Sequence, residues 1–448
     1  MGVKLLKLDS KFPSEKCAMR CDSGFDRISQ LPDSIIISIL CFLPLKEAAA
    51  TSVLSSRWSE LWKHVPNLNF YAETLDTLTK ECIPKYIEWV NSVIQSHKAL
   101  SLENFTISFY VDISAQCMVN KWLEFVFSRR VERLELDFLC RSRKNRVVLD
   151  SSICQALTQT PRFFKSLKEL CLRKIKLSGE AVELFLCNCP LLERLIIHAA
   201  ELMSDVEVCG GASLVLKHLY IHQCSGGKTI KISAPNLIWL SSDDISGSLL
   251  LENVPKLVEA DFTFTCRSQD TAQHFALAVN SCISQLEILT ISLICSKVFL
   301  TSWFSRMPKL KKLVVNYYGQ FEDSLLSLTC LIWASPCLEE FELKCLMQFI
   351  RSCRCRSGLQ FSNVERLTLE RLIPQQHLKV FQFTGFDGHA GTHMELLRYI
   401  CDNCAALEKI FIRPTLAWDM IANTPAIREY AKQVLQGKVP THIQLLIV

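Results

Sequence analysis

One short phrase, repeated from about residue 100 almost to the end, constrains this chain more than any other feature. It reads apolar, two mostly polar residues, apolar, any residue, apolar. Clear copies are Leu102-Phe105-Ile107, Val131-Leu134-Leu136, Leu167-Leu170-Leu172, Leu192-Leu195-Ile197, Leu216-Leu219-Ile221 and the shorter Leu237-Leu240. Weaker or later copies are Leu257-Ala260-Phe262, Leu286-Leu289-Ile291, Leu310-Leu313-Val315, Leu338-Phe341-Leu343, Val364-Leu367-Leu369, Leu378-Phe381-Phe383 and Leu407-Ile410-Ile412. Most successive starts lie twenty to thirty residues apart, the spacing of stacked single-strand repeats. Each copy predicts a short strand with its apolar residues inward, then a return segment, often a helix. One copy cannot bury its own face. Stacking buries a continuous core and gives a curved solenoid with a parallel sheet on its concave side. The rival is an ordinary alternating parallel α/β domain. Frequent recurrence without a phosphate-type glycine loop favours the solenoid.

The cysteines follow the same frame. Cys189, Cys282 and Cys404 each fall three or four residues before the leading leucine of a copy, and Cys337 directly precedes Leu338. A small apolar residue recurring just ahead of a strand is expected in the core.

The segment from Phe25 to Phe70 is different. It packs more apolar side chains into short helices than so small a piece can hide by itself. Ile36, Leu40 and Leu43 recur at helical spacing, with Ile39 beside them. Pro32 suits a helix start and Asp33 its positive end. Pro44 stops that helix. Leu45 to Leu54 reads as a second helix, and Ser55 or Ser56 caps a third holding Trp58, Leu61 and Trp62. Three short helices with tight breaks predict a small bundle whose remaining apolar face lies against the rest of the chain or another protein.

This segment resembles the F-box. The matching residues are Leu31-Pro32-Asp33, Ile39-Leu40, Leu43-Pro44, Ser52 to Trp58 and Leu61-Trp62. The resemblance implies docking onto the Skp-type adaptor of a cullin–RING ubiquitin ligase. It implies Leu31, Pro32, Ile36, Ile39, Leu40, Leu43, Pro44, Leu54 and Trp58 as the adaptor-facing or supporting set. The repeat in turn resembles the plant F-box proteins with leucine-rich repeats. Arg57-Trp58 followed by Leu61-Trp62 is typical of that class. The stretches FSNVERLTLE and LKVFQFTGFDGHAGTHMELLRYICDNCAALEKIFIRP look like its FBD region, on Leu378-Lys379, the Gly385-Phe386 turn with Gly388, the helix Glu395 to Cys401, and Leu407-Glu408-Lys409. The fourteen-residue step from Val364 to Leu378 suggests a hairpin-like variation or a shortened repeat there.

The expected fold class is therefore α/β: a three-helix F-box followed by an irregular leucine-rich-repeat solenoid. Residues 1–24 are read as a flexible arm, 25–70 as the F-box, 71–100 as a helical linker, 101–362 as leucine-rich repeats, 363–414 as FBD-like repeats and 415–448 as a cap holding a helix and a short apolar end. The expected function is the substrate-recognition subunit of an SCF-type ligase, with a Skp-type adaptor and cullin as partners and an unknown target protein on the solenoid. Two rivals are a binding scaffold with no ligase coupling and an independent enzyme. A Leu40→Asp, Trp58→Asp double change is the adaptor-capture test that the motif suggests.

The remaining features narrow the field. The chain has 448 residues and a mean hydropathy of +0.19, enough for a large core. Its formal charge of +5 is too mild to argue for nucleic acid. No stretch has the apolar length of a membrane span. The first residues lack a signal-peptide core, and Leu6 stands where myristoylation requires Ser or Thr. The 22 cysteines are then expected as reduced thiols of the nucleus or cytoplasm. No phosphate loop, dinucleotide glycine motif or nucleophile elbow occurs, so no catalytic residue, cofactor or metal is assigned. Cys401 and Cys404 have zinc spacing, with His389 and His393 nearby, but a second pair is missing. The basic run Arg141 to Arg146 reads as a solvated loop, and Asp243-Asp244 as an isolated loop pair.

Overall fold

In the computed structural model the described residues are 28, 30–72, 81, 83–140, 142–150, 164–210, 214–243, 247–264, 269–294, 305–318, 325–346, 375–388, 391–414 and 425–448. They divide into two compact units, Met1–Val65 and Pro66–Val448.

The first unit is a helical bundle with its own core. Helices α1 (Asp33–Leu40), α2 (Leu45–Ala50) and α3 (Ser56–Leu61) follow in close succession. Pro32 and Pro44 sit at the cap positions of α1 and α2 in extended backbone, one residue before each helix. Their carbonyls accept from Ile36 and Ala48 at 3.1 and 2.9 Å, so each proline sets the turn without losing a needed donor. The hydroxyls of Thr51 and Ser52 fold back onto the carbonyls of Ala48 and Ala49, and α2 tightens into a 3₁₀ turn at Thr51–Val53. Ser55 is the residue that caps α3, accepting from the Trp58 N–H. Ile36, Leu40, Ala48, Trp58, Leu61 and Val65 form the core, with Leu31, Ile37, Cys41 and Trp62 packed on it.

The second unit is built on a sheet of 14 strands, all parallel and in strict chain order. The strands are Asn67–Tyr71, Asn104–Phe109, Arg133–Phe138, Glu169–Arg173, Arg194–His198, His218–His222, Trp239–Asp243, Glu259–Phe264, Ile288–Leu293, Lys312–Tyr317, Glu340–Cys345, Val380–Phe386, Lys409–Pro414 and Gln444–Ile447. Sequential order excludes a doubly wound sheet, in which the order reverses midway. The repeat phrase explains the register. Its middle apolar residue forms one unbroken column, from Leu68 through Phe105, Leu134, Leu170, Leu195 and Leu219 to Ile410 and Leu445. Its last residue forms a second column two positions along, interrupted only by Ser242. The leading residues Leu102, Leu167, Leu216, Leu286, Leu310 and Leu378 are fully buried as well. Each such side chain contributes about 1.5–3 kcal/mol by leaving water. The copy at Val364 lies outside the described residues.

The repeat body extends beyond its expected limits at both ends. Leu68 and Phe70 supply the middle and last positions of an earlier copy, buried like the rest, hidden in the sequence because they overlap the end of the F-box segment. The expected linker at 71–100 contains the helix Ile83–Ser96, the return between the first two strands. There Tyr86 stacks on Phe109 at 4.6 Å, and Trp122 of the next helix, Gln116–Ser128, donates to Asn91 at 2.8 Å. At the other end, the helix Pro425–Leu435 is followed by a fourteenth strand, so the apolar tail continues the sheet.

Return segments are less regular than the strands. Helices Gly179–Asn188, Gln269–Cys282, Thr329–Ala334 and Gly391–Asn403 fill some of them. Two three-stranded sheets fill others, one made by 148–149, 176–177 and 201–202, the other by 206–209, 230–233 and 249–251. Around residue 380 the chain is parallel to both neighbours, so the described part of the FBD-like segment has no hairpin. Gly385 marks a bulge there, with φ +84° and the Cys345 carbonyl 2.1 Å from where a Cβ would stand. No helix among the described residues is long and apolar enough to cross a membrane.

Alternation across the sheet predicts unequal mutational costs on one strand. Leu289→Ala empties a fully buried site and is expected to cost about 2–5 kcal/mol in chemical denaturation. Thr290→Ala, next to it on the open face, is expected to cost about 0.5 kcal/mol or less. Gly385→Ala is expected to cost at least about 1 kcal/mol despite adding one methyl group.

Candidate functional site

The helical bundle sorts its apolar residues by helix geometry. Ile36 and Leu40 face inward on α1, while Ile35 and Ile39, also four residues apart, face out. Past the helix end, Phe42 is 88% exposed and Leu43 37%, and in the 3₁₀ turn before α3 Val53 is 77% and Leu54 64% exposed. Trp58 is 8% exposed and Ile39 41%. Arg57 fixes the arrangement. Its guanidinium pairs with Asp33 at 2.6 Å and donates to the Leu31 carbonyl at 2.6 Å, tying the start of α3 to the start of α1.

The nine residues that the F-box resemblance singled out therefore separate. Pro32, Ile39, Leu43, Pro44 and Leu54 are exposed, Leu31 is half-buried, and Ile36, Leu40 and Trp58 belong to the bundle's own core. Those three fill the interior of the bundle and present no apolar face to solvent. The Leu40→Asp, Trp58→Asp change suggested by the motif puts two carboxylates into that core and is expected to unfold the bundle, so it does not isolate docking. Ile35 and Phe42 are outward apolar residues outside the matched motif, and Val53, inside it, is a third that the nine-residue set left out. For Ile35 the signal was the run Ile35-Ile36-Ile37, since three adjacent residues on one helix cannot share a face.

On the second unit, the side chains between the buried columns line the open face of the sheet. Across its middle strands Arg194, His218, Trp239 and Glu259 stand in one register row, and Ile196, Tyr220, Ser241 and Asp261 in another. Tyr220 stacks on His222 at 4.3 Å, and His222 shares a 2.7 Å hydrogen bond with Ser241. Burial and the neighbouring His198 push His222 down to about 4, so its ring is neutral at pH 7. Burial, with Glu259 beside it, pushes the Asp261 carboxyl up to about 6.

Several candidate sites have structural roles. Cys189, Cys282 and Cys404 are buried at the repeat position, and burial pushes each thiol up to about 12, far from nucleophilic. Cys337 departs from that pattern and is exposed, because it lies in the turn before the strand and not under it. His393, near the zinc-like cysteine pair, is buried between Phe383 and Phe386, and its Nδ1 accepts from the Asp387 N–H at 3.0 Å. Among the described residues no group of His, Cys, Asp and Glu can hold a metal; His389 lies outside them. Arg146 is no solvated loop residue. It is buried, and its guanidinium donates to the Ala199 carbonyl at 2.6 Å. Asp243 likewise ends a strand, buried, and accepts from the Gln223 N–H at 2.8 Å.

Burial pushes His393 down to about 4, against the opposite pull of Asp387. Above the unfolded value near 6.5 the ring is neutral in both states. As pH falls from there toward 4 the unfolded chain takes up the proton first, so folding stability is lost over that window. His393→Gln keeps an acceptor for Asp387 and is expected to flatten this acid loss, measured by denaturation at pH 7, 5.5 and 4.

The comparisons with known proteins agree with this architecture. Residues 28–70 match the F-box domain family, and residues 93–423 match the family described as the At1g61320/AtMIF1 LRR domain. The F-box/FBD/LRR-repeat protein At4g00160 of Arabidopsis thaliana is 28% identical over 419 residues, covering 88% of each chain. The putative F-box/FBD/LRR-repeat protein At3g49030 of the same plant is 30% identical over 412 residues, covering 86% of each. The F-box/LRR-repeat protein At3g26922 is 31% identical over 255 residues, covering 52% of this chain and 81% of that one. With helical bundle, parallel repeat sheet and both family matches in the same order along the sequence, the chain belongs to the F-box/FBD/LRR-repeat proteins.

Proposed function

We propose that this chain is the substrate-recognition subunit of an SCF-type E3 ubiquitin ligase. In this reading the bundle docks a Skp-type adaptor, and through it a cullin, while the repeat sheet holds a target protein. Membership of the F-box and leucine-rich-repeat family implies such an adaptor role in general. The observation that carries the proposal is the outward apolar set Ile35, Ile39, Phe42, Leu43, Val53 and Leu54 on a bundle whose core is already filled. A monomer gains nothing by exposing Phe42 and Leu54 to water. A partner surface that covers them gains about 1.5–3 kcal/mol for each residue fully buried. The bond-making chemistry belongs to partner subunits, and this chain contributes proximity by holding target and ligase together.

The test uses surface residues. Ile39→Asp with Leu54→Asp is expected to abolish capture of a purified Skp-type adaptor by the full chain, a loss of at least about tenfold. Thermal unfolding of the variant is expected to stay close to that of the parent, because neither side chain is in the core. Undiminished capture would return the chain to the scaffold reading, in which the bundle recruits no ligase.

A further inference from the structure

The open face of the repeat sheet has a cleft of about 480 Å³ over its middle strands, within the size range of natural ligand pockets. Arg173, Arg194, His218, Tyr220, Trp239 and Glu259 are among its walls. Four of them form the register row that runs across successive strands: Arg194, His218, Trp239, Glu259. The row has a charge at each end and none between. Arg194 makes no side-chain hydrogen bond or ion pair with any described residue, in contrast to Arg173, which lies 3.5 Å from Glu135. Burial, and after it Arg194, lowers the His218 pKa from its ordinary value. At the far end Glu259 is likewise unpaired among the described residues, and Asp261, two positions along the same strand, keeps a buried oxygen, Oδ1, without a hydrogen-bond partner. Between the ends lie two aromatic side chains, Trp239 with its ring tilted against that of His218 and Tyr220 stacked on His222.

Adjacent strands are about 4.8 Å apart, so three strand steps separate Arg194 from Glu259 by about 14 Å. An extended peptide advances about 3.3 Å per residue and covers that distance with charges four positions apart. The carboxylates at one end repel a polyphosphate backbone, which argues against nucleic acid. We propose that this row binds an extended segment of the target protein in which an acidic and a basic residue, about four positions apart, flank a large apolar or aromatic residue. The acidic residue pairs with Arg194, the basic one with Glu259 and Asp261, and the central side chain stacks over Trp239 and Tyr220. This inference rests on the reading that the repeat sheet presents the target.

The experiment measures fluorescence anisotropy of labelled, end-capped seven-residue peptides with the full chain. The first probe has glutamate and lysine four positions apart with phenylalanine midway. It is expected to bind, and probes with two lysines or two glutamates at those positions are expected to bind at least about tenfold more weakly. Because a peptide can lie in either direction, the decisive arm swaps charge on the protein. Arg194→Glu is expected to lose the first probe and gain the two-lysine probe. Glu259→Lys is expected to lose the first probe and gain the two-glutamate probe. Neither side chain is in the core, and circular dichroism of each variant checks the fold. Absence of binding by the first probe, or equal binding of all three by the parent, would overturn the inference. Adaptor capture measured on the same preparation separates the two proposals. Capture without peptide binding sinks only the cleft reading, and peptide binding without capture sinks only the ligase reading.

Discussion

The second unit depends on one constraint: neighbouring parallel strands hold the same register from end to end. That register superposes apolar residues of the phrase into columns, Leu134 on Leu170 on Leu195 on Leu219. A shift of one residue would turn every column toward water, so the hydrophobic contacts and the backbone ladder enforce one another. Everything else in the unit is adjusted to that frame. Helices fill some returns and short strands others, and the return after Glu169–Arg173 holds one of each. Where the frame is strained, specific residues absorb the strain. Gly385 supplies the bulge, and Asp243 steadies Gln223 at a positive φ of 55°.

Surface charge follows the same frame at lower energy. Just before many of the strands stands a glutamate or a lysine, giving pairs between neighbours such as Glu132–Lys168, Glu193–Lys217, Glu287–Lys311 and Glu339–Lys379. All are exposed, and pairs of that kind contribute at most about 1 kcal/mol each. Their regular placement favours the correct neighbour over like-charge contacts more than it adds stability. The row from Arg194 to Glu259 differs because its charges are separated by aromatic residues and stay available to another molecule.

The bundle of the first unit works by the opposite logic. Among the described residues its core gathers Ile36, Leu40, Ala48, Trp58, Leu61 and Val65. The motif mixes these with residues that point outward, because a helix-bundle motif must specify both a fold and a contact face. Sequence spacing alone reads Leu40 and Leu43 as one stripe. The helix ends at Leu40, and the turn after it swings Leu43 to the surface. The direction of a side chain beyond a helix terminus depends on backbone angles that no periodicity records.

Pattern was enough for what local chemistry repeats. The phrase predicted the strands, their inward residues and the parallel sheet, since a two-residue period and a recurring leucine leave few ways to bury the apolar surface. A serine cap at 55 or 56, and burial for three of the four cysteines before the strands, were legible for the same reason. Only the tertiary structure decided what depends on distant partners. It placed Arg146 against Ala199, Arg57 against Asp33, and Arg194, Trp239 and Glu259 in one row from three separate repeats. The open-face positions of the phrase accept any residue, because water and not packing surrounds them. Their identity is free of the folding code, and what they form together exists only once the strands are stacked.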